Sequence, residues 1–265
     1  MMNRLLEILR GLRSNLKFTN KFQLIYDRLF RRDLPLTHYI WKNRLFFICN
    51  SKLGDHIAVQ ECLCERAYDS LLDQCQFPDK RISYVNIGAN IGAFDLLLLD
   101  RGLMVEAGLA VELNPLTAAR CLVNLQANGL FSTRMVNAGV AGTNEIISFN
   151  FLGLSLSDSI FTKPKPGKAG TPVELLTLET LLEKHAEPFR QFDLLKLDCE
   201  QAEYSIIRMT SVPVLQKFRY IIVEFHPEPK GETIHAAYDK LVAAGFRSRQ
   251  TRPSQSRFTD VFIRS

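Results

Sequence analysis

Nowhere in the 265 residues does an uninterrupted apolar stretch approach the ~18 residues that a membrane-spanning helix needs. The start lacks the apolar core and small-residue cleavage site of a secretory leader, so a cytoplasmic location is expected. The six cysteines, at 49, 62, 64, 75, 121 and 199, form no CxxC pair, and none lies beside a histidine at zinc spacing. A zinc module is thereby disfavoured, and so is a disulfide framework; buried or part-buried free thiols are expected. The dinucleotide fingerprint G-x-G-x-x-G is also missing, which argues against a nicotinamide-dependent oxidoreductase. Residues 35–265 carry as many acidic as basic side chains and contain no Asn-Pro-Pro-Tyr type motif, so nucleic acid is not an expected partner.

The net charge of +5 sits in residues 1–34, where eight Lys and Arg face three acids. There Leu5, Leu9, Leu12 and Leu16 recur at helical spacing beside Arg10, Arg13 and Lys17. A basic amphipathic helix of this kind suits an anionic membrane surface or a partner protein. It could equally pack its leucines on its own domain. Either way this segment is expected to be dispensable for the fold. Residues 58–75 read as one further helix, ending before Phe77-Pro78-Asp79.

From residue 81 strands alternate with helices. Strands are expected at 81–87, 107–113, 134–140, 192–197 and 219–225, with an extra one at 145–151. Helices are expected at 93–101, 115–128 and 233–244, with another starting near Glu200; Pro115 opens the second and Gly129 stops it. Residues 246–252 and 258–263 read as a closing antiparallel pair, and 153–172 as a long Gly/Ser/Lys/Pro loop able to flank a site. This alternation predicts an α/β fold with a doubly wound, mostly parallel sheet over 79–265, preceded by a helical extension over 1–78. Ligands of such sheets bind beyond the carboxyl ends of the strands, where the strand order reverses.

Two features stand at those ends. Asn86-Ile87-Gly88-Ala89-Asn90-Ile91-Gly92 joins strand to helix, and its glycines permit close backbone approach to a ligand at a helix N-terminus expected to offer N–H donors. Glu112 ends the next strand, 20 residues after Gly92, where an acid accepts hydrogen bonds from both ribose hydroxyls of a nucleoside. Together they point to a nucleoside-containing cofactor.

Five blocks in order, NIGANIGAF (86–94), VELNP (111–115), LLTLETLLE (175–183), DLLKLDCEQAE (193–203) and IIVEFHP (221–227), resemble FkbM-type methyltransferases, which typically read close to DIGANIG, VEPNP, TLD and DLLKIDVEGAE. The resemblance covers roughly residues 58–265 and implies a seven-stranded, Rossmann-like class I fold. It also implies S-adenosyl-L-methionine as cofactor and O-methylation of a sugar, glycan or natural-product hydroxyl. The residues it points to for the cofactor are Asn86, Gly88, Ala89, Asn90, Ile91, Gly92, Glu112, Asn114 and Asn137. Two positions depart from the family pattern. Asn86 stands where the family usually has Asp and cannot neutralise the donor's ammonium; Gln201 replaces a common Gly and asks for a less permissive backbone. These departures leave a non-catalytic, methyltransferase-like module as the alternative reading.

Methyl transfer to a hydroxyl needs positioning and a base for the hydroxyl proton. Asp198, Glu200 and His226 are the expected catalytic residues, with Glu224 a further candidate. His226 has a suitable pKa without tuning. The same Asp-x-Glu with His226 is compatible with a divalent metal, although the pattern alone does not assign one.

Overall fold

The computed structural model describes residues 13–31, 35–151, 170–186, 191–249 and 258–265. In chain order the strands are β1 Thr37–Trp41, β2 Leu45–Cys49, β3 Arg81–Ile87, β4 Met104–Glu112, β5 Thr133–Asn137, β6 Gly139–Val140, β7 Glu145–Phe149, β8 Thr171–Leu176, β9 Phe192–Leu197, β10 Phe218–Phe225, β11 Phe246–Ser248 and β12 Phe258–Arg264. The helices are α1 Lys21–Phe30, α2 Asp55–Val59, α3 Asp69–Leu72, α4 Ala93–Asp100, α5 Pro115–Ala127, α6 Leu178–His185, α7 Ala202–Met209, α8 Val212–Leu215 and α9 Ile234–Ala243.

Seven strands form the main sheet in the order β11-β12-β10-β9-β3-β4-β5. The pairs from β10 to β5 are parallel, while β12 runs antiparallel to both β10 and β11. Val85, Leu194, Leu195, Leu197, Ile221, Ile222 and Val223 are buried because helices cover both faces, the condition under which strands become continuous apolar runs. From β3 the chain passes to β4 on one side and only later to β9 on the other. The strand order therefore reverses between β3 and β9, with Ile87 level with Val111 and with Leu197. A ligand crevice belongs there.

Helix boundaries follow local chemistry. Asn114 caps α5 by accepting from the Leu116 and Thr117 amides, Pro115 fills the first turn, and Thr177 and Thr233 cap α6 and α9.

Four features differ from the sequence-based expectation. The helix expected over 58–75 is broken: α2 runs into a π-turn at Gln60–Cys64, and Arg66 then adopts φ 60° before α3. The break is held by the Arg66 guanidinium, bonded to Asp69 and to Asp100 at 2.6 Å each. No glycine or proline marks it. The strand expected at 134–140 divides into β5 and β6, and β6 joins a separate small sheet with β8 and β7. Most of the loop expected at 153–172 lies outside the described residues, but its end, Thr171 and Pro172, opens β8.

The fourth difference concerns the N-terminal segment, which carries a β-hairpin as well as helix. Its edge strand β2 is satisfied by α5: the Asn124 side chain accepts from the Ile48 amide and donates to its carbonyl, and Asn128 does the same at Phe46. Of residues 1–34, positions 1–12 and 32–34, with Leu5, Leu9, Leu12 and Arg10 of the expected basic helix, lie outside the described residues. Phe18 and Leu24 of the described part are buried in one apolar cluster with Tyr39, Ile82 and Tyr84, which argues against dispensability of that part. Removing such side chains costs about 2–5 kcal/mol each. The five cysteines 49, 62, 64, 75 and 121 are buried free thiols, and Cys199 is half-buried.

Candidate functional site

The turn after β3 is built on one close approach. Gly88 has φ +79°, and a Cβ there would lie 1.7 Å from the Asp198 carbonyl oxygen, so no other residue fits. The Asp198 amide in turn donates to the Ile87 carbonyl. The ends of β3 and β9 are thereby locked side by side.

The turn's N–H groups are not free donors, contrary to expectation. The Gly88 and Ala89 amides both donate to the Val111 carbonyl, Gly92 to Ala89, and Ile91 to its neighbour's Asn90 Oδ1. The Asn90 amide donates to Glu112 Oε2 at 3.0 Å, while Glu112 Oε1 accepts from the Asn114 amide at 2.8 Å. The turn therefore does not cradle an anion. It orients the Glu112 carboxylate through both of its oxygens.

Beside this turn lies an open cleft of about 1130 Å³, counting its mouth. Gly88, Ala89, Asn90, Glu112, Asp198, Glu200 and Glu224 line it, with Ala138, Gly139 and Val140 as an apolar wall. The other expected residues stand behind the lining. Ile91 is fully buried, Gly92 packs on Cys121, and Asn114 is the α5 cap. Asn137 bonds the Glu112 and Leu113 carbonyls and so fixes the end of β4. Asn86 is also fully buried, and its Nδ2 donates to Asp95 Oδ2 at 2.7 Å. Tyr84 donates to the other oxygen of Asp95. Burial pushes the Asp95 carboxyl up, opposed by these two donors. An aspartate at 86 would set two carboxylates together in the core; asparagine supplies a donor instead.

Across the turn three carboxylates gather around one imidazole. His226 Nε2 lies 3.8 Å from Asp198 Oδ1, 3.6 Å from Glu200 Oε1 and 4.0 Å from Glu224 Oε1. The ring is 2% exposed and held from behind: Nδ1 is 3.1 Å from Glu203 Oε1, which also accepts from the His226 amide. Burial disfavours the imidazolium, but Glu203, Glu200 and Asp198 outweigh it and raise the His226 pKa above its ordinary value. The His226 pKa thus departs upward from the untuned value expected.

Lys196 and Tyr68 complete the arrangement. Lys196 Nζ is 3.0 Å from Asp198 Oδ2 and 3.2 Å from the Gly88 carbonyl, and it sits over the Tyr68 and Phe94 rings. Tyr68 donates its hydroxyl toward Asp198 Oδ2 and Glu224 Oε2. Burial would raise the Asp198 carboxyl, but Lys196 and His226 hold it below the ordinary range. Sequence reasoning missed both residues. A lysine inside the apolar strand FDLLKL was a readable signal, since a buried cation needs a partner. Nothing near Tyr68 distinguished it.

The loop after Asp198 keeps the geometry of the glycine that the family usually places there: Glu200 has φ 49° and Gln201 φ 82°. Left-handed backbone costs a non-glycine residue about 1–2 kcal/mol. Gln201→Gly is accordingly expected to stabilise the protein by about 1 kcal/mol in urea unfolding; an unchanged or lowered midpoint would show that the Gln201 side chain compensates.

The Methyltransferase FkbM domain model matches residues 86–248. No curated protein sequence matches the chain. Among solved structures, an FkbM methyltransferase from Methylobacillus flagellatus KT aligns over 69% of this chain and 44% of its own, less than half its length, at 10% identity and TM-score 0.48. Trm5b from Pyrococcus abyssi aligns over 87% of this chain and 55% of its own, at 9% identity and TM-score 0.46. Magnesium protoporphyrin IX methyltransferase from Synechocystis PCC 6803, solved with bound SAM, aligns over 79% and 81%, at 13% identity and TM-score 0.39. The family match spans more than half of the sequence, and the chain belongs to the FkbM methyltransferase family, whose methyl donor is S-adenosylmethionine.

Proposed function

We propose that the chain O-methylates a hydroxyl of a sugar, glycan or other small natural product. The observation that carries this reading is the convergence of Asp198, Glu200 and Glu224 on the cleft beside the Gly88 turn. The residues present suit the donor. The pre-aimed Glu112 carboxylate can accept both ribose hydroxyls, and Ala138, Gly139 and Val140 offer an apolar wall for a flat base. When bound, the donor supplies an electrophilic methyl on a sulfonium.

The chain's own work is positioning and proton removal. Asp198 is pinned by Lys196 and Tyr68, which suits it to orient an acceptor hydroxyl. Glu200 lines the cleft on the loop beyond Asp198 and is the proposed base. His226 is walled off behind the acids and acts as a positioning residue.

With methyl-labelled S-adenosylmethionine and a panel of glycan and small hydroxyl acceptors, label is expected in an ether product. Glu200→Gln should lower kcat on the order of 10²–10⁴. A loss below tenfold would remove Glu200 as base, and label on nitrogen or carbon would overturn O-methylation.

The same chain, we propose, rests on an anionic membrane surface through α1. Phe22, Tyr26, Leu29 and Phe30 are exposed along one side of this helix, while Leu24 and Asp27 face inward. Lys21 opens the helix and Arg31 follows its last residue. Aromatic insertion beside basic side chains is the physics of an interfacial helix, with about 1 kcal/mol from each Lys or Arg near the surface. The protein is expected to co-sediment with phosphatidylserine vesicles at low salt, to be released as salt rises, and to bind less after Phe22→Asp. Absence of low-salt binding by the folded protein would contradict this role.

A further inference from the structure

The buried edge of His226 poses a problem that the methyl-transfer reading leaves unsolved. Nε2 is fully buried and has no hydrogen-bond partner, although it points into a group of carboxylates. A buried polar atom left without a partner is destabilising. Its distances to the acids, 3.6–4.0 Å, exceed hydrogen-bond length. They match a different arrangement: atoms bound at about 2.1 Å to a common ion lie about 3–4 Å apart.

We propose that Asp198, Glu224 and His226 Nε2 bind one divalent first-row transition ion at the inner wall of the cleft, with Glu200 beside it. One candidate ligand atom from each of the three lies within 4.8 Å of the others. The surroundings have the outer-shell organisation that such sites require. Glu203 holds Nδ1, which leaves Nε2 as the ligating nitrogen, and metal-bound histidines are generally oriented by a carboxylate in this way. Tyr68 spans Asp198 Oδ2 and Glu224 Oε2, and Lys196 holds the former. The Oδ1 and Oε1 atoms thus turn toward the imidazole. One imidazole with carboxylates favours Mn2+, Fe2+ or Zn2+ over Ca2+, whose ligands are all oxygen.

The sequence left Asp198, Glu200 and His226 compatible with a metal without assigning one; here Glu224, from β10, stands in place of Glu200, which lines the cleft as the proposed base. For its chemical role the inference rests on the proposed methyl transfer. An acceptor hydroxyl ligated by the ion would lose its proton more readily, here to Glu200. Its oxygen then forms the bond to the methyl as the C–S bond breaks and its electron pair returns to sulfur.

The experiment titrates the full chain with Mn2+ in the absence of S-adenosylmethionine and reads free ion by electron paramagnetic resonance. About one ion is expected per chain, with a pulsed-resonance coupling to an imidazole nitrogen. Glu224→Gln should weaken binding at least tenfold, and His226→Gln should abolish the nitrogen coupling. Thermal unfolding of each variant establishes that it is folded; should His226→Gln not fold, Glu224→Gln and the nitrogen coupling of the parent protein decide. No stoichiometric binding, binding unchanged in folded Glu224→Gln, or a bound ion without nitrogen coupling overturns the site. Donor binding, titrated separately in metal-free protein, fails or holds independently.

Discussion

The ammonium of Lys196 is the point on which the two halves of the sheet and the N-terminal segment meet. It lies in β9, buried, bonded to Asp198 and the Gly88 carbonyl and seated over the rings of Tyr68 and Phe94. Leaving a buried charge without its partner costs about 3–5 kcal/mol, so neither Asp198 nor the Gly88 turn can move far from it. Gly88 meets the same requirement from the other side, since its bare α-carbon is what lets the Asp198 carbonyl approach. The Gly88 turn and the acid cluster are therefore one unit. The order of β3 and β9, neighbours in the sheet but about 100 residues apart in sequence, creates it.

Much of this was legible in the sequence because parallel strands and their turns follow from local rules. RISYVNI, FDLLKL and RYIIVEF are largely apolar runs, and the polar residues at or just past the ends of the last two, Asp198, Glu224 and His226, fall where a doubly wound sheet puts its site. Glu112 was readable for the same reason. What escaped depends on distant contacts. The break at Arg66 is held by Asp100, 34 residues away, and the β1–β2 hairpin depends on Asn124 and Asn128 of α5. Tyr68 reaches Asp198 only because that break redirects the chain. The roles of individual site residues were likewise hidden: the Gly88–Gly92 amides are consumed by Val111, Ala89, Asn90 and Glu112, a fact that spacing does not reveal.

The two departures from the family pattern have separate explanations. Asn86 satisfies Asp95 in the core and has no place in the cleft, so its missing charge is a packing solution. Gln201 retains a left-handed backbone and carries local strain beside the acids. Neither disturbs the convergence of Glu112, Asp198, Glu200 and Glu224 on one cleft.

The proposed role of the Glu112 carboxylate is to hold the donor's ribose at this cleft. Calorimetric titration of S-adenosylmethionine into the parent protein and into Glu112→Ala tests it most directly, with thermal unfolding to establish that the variant is folded. Saturable binding by the parent protein is expected, weakened by about 1–3 kcal/mol in the variant through loss of charge-assisted hydrogen bonds. Equal affinity in the two folded proteins, or no binding by the parent protein, would contradict it.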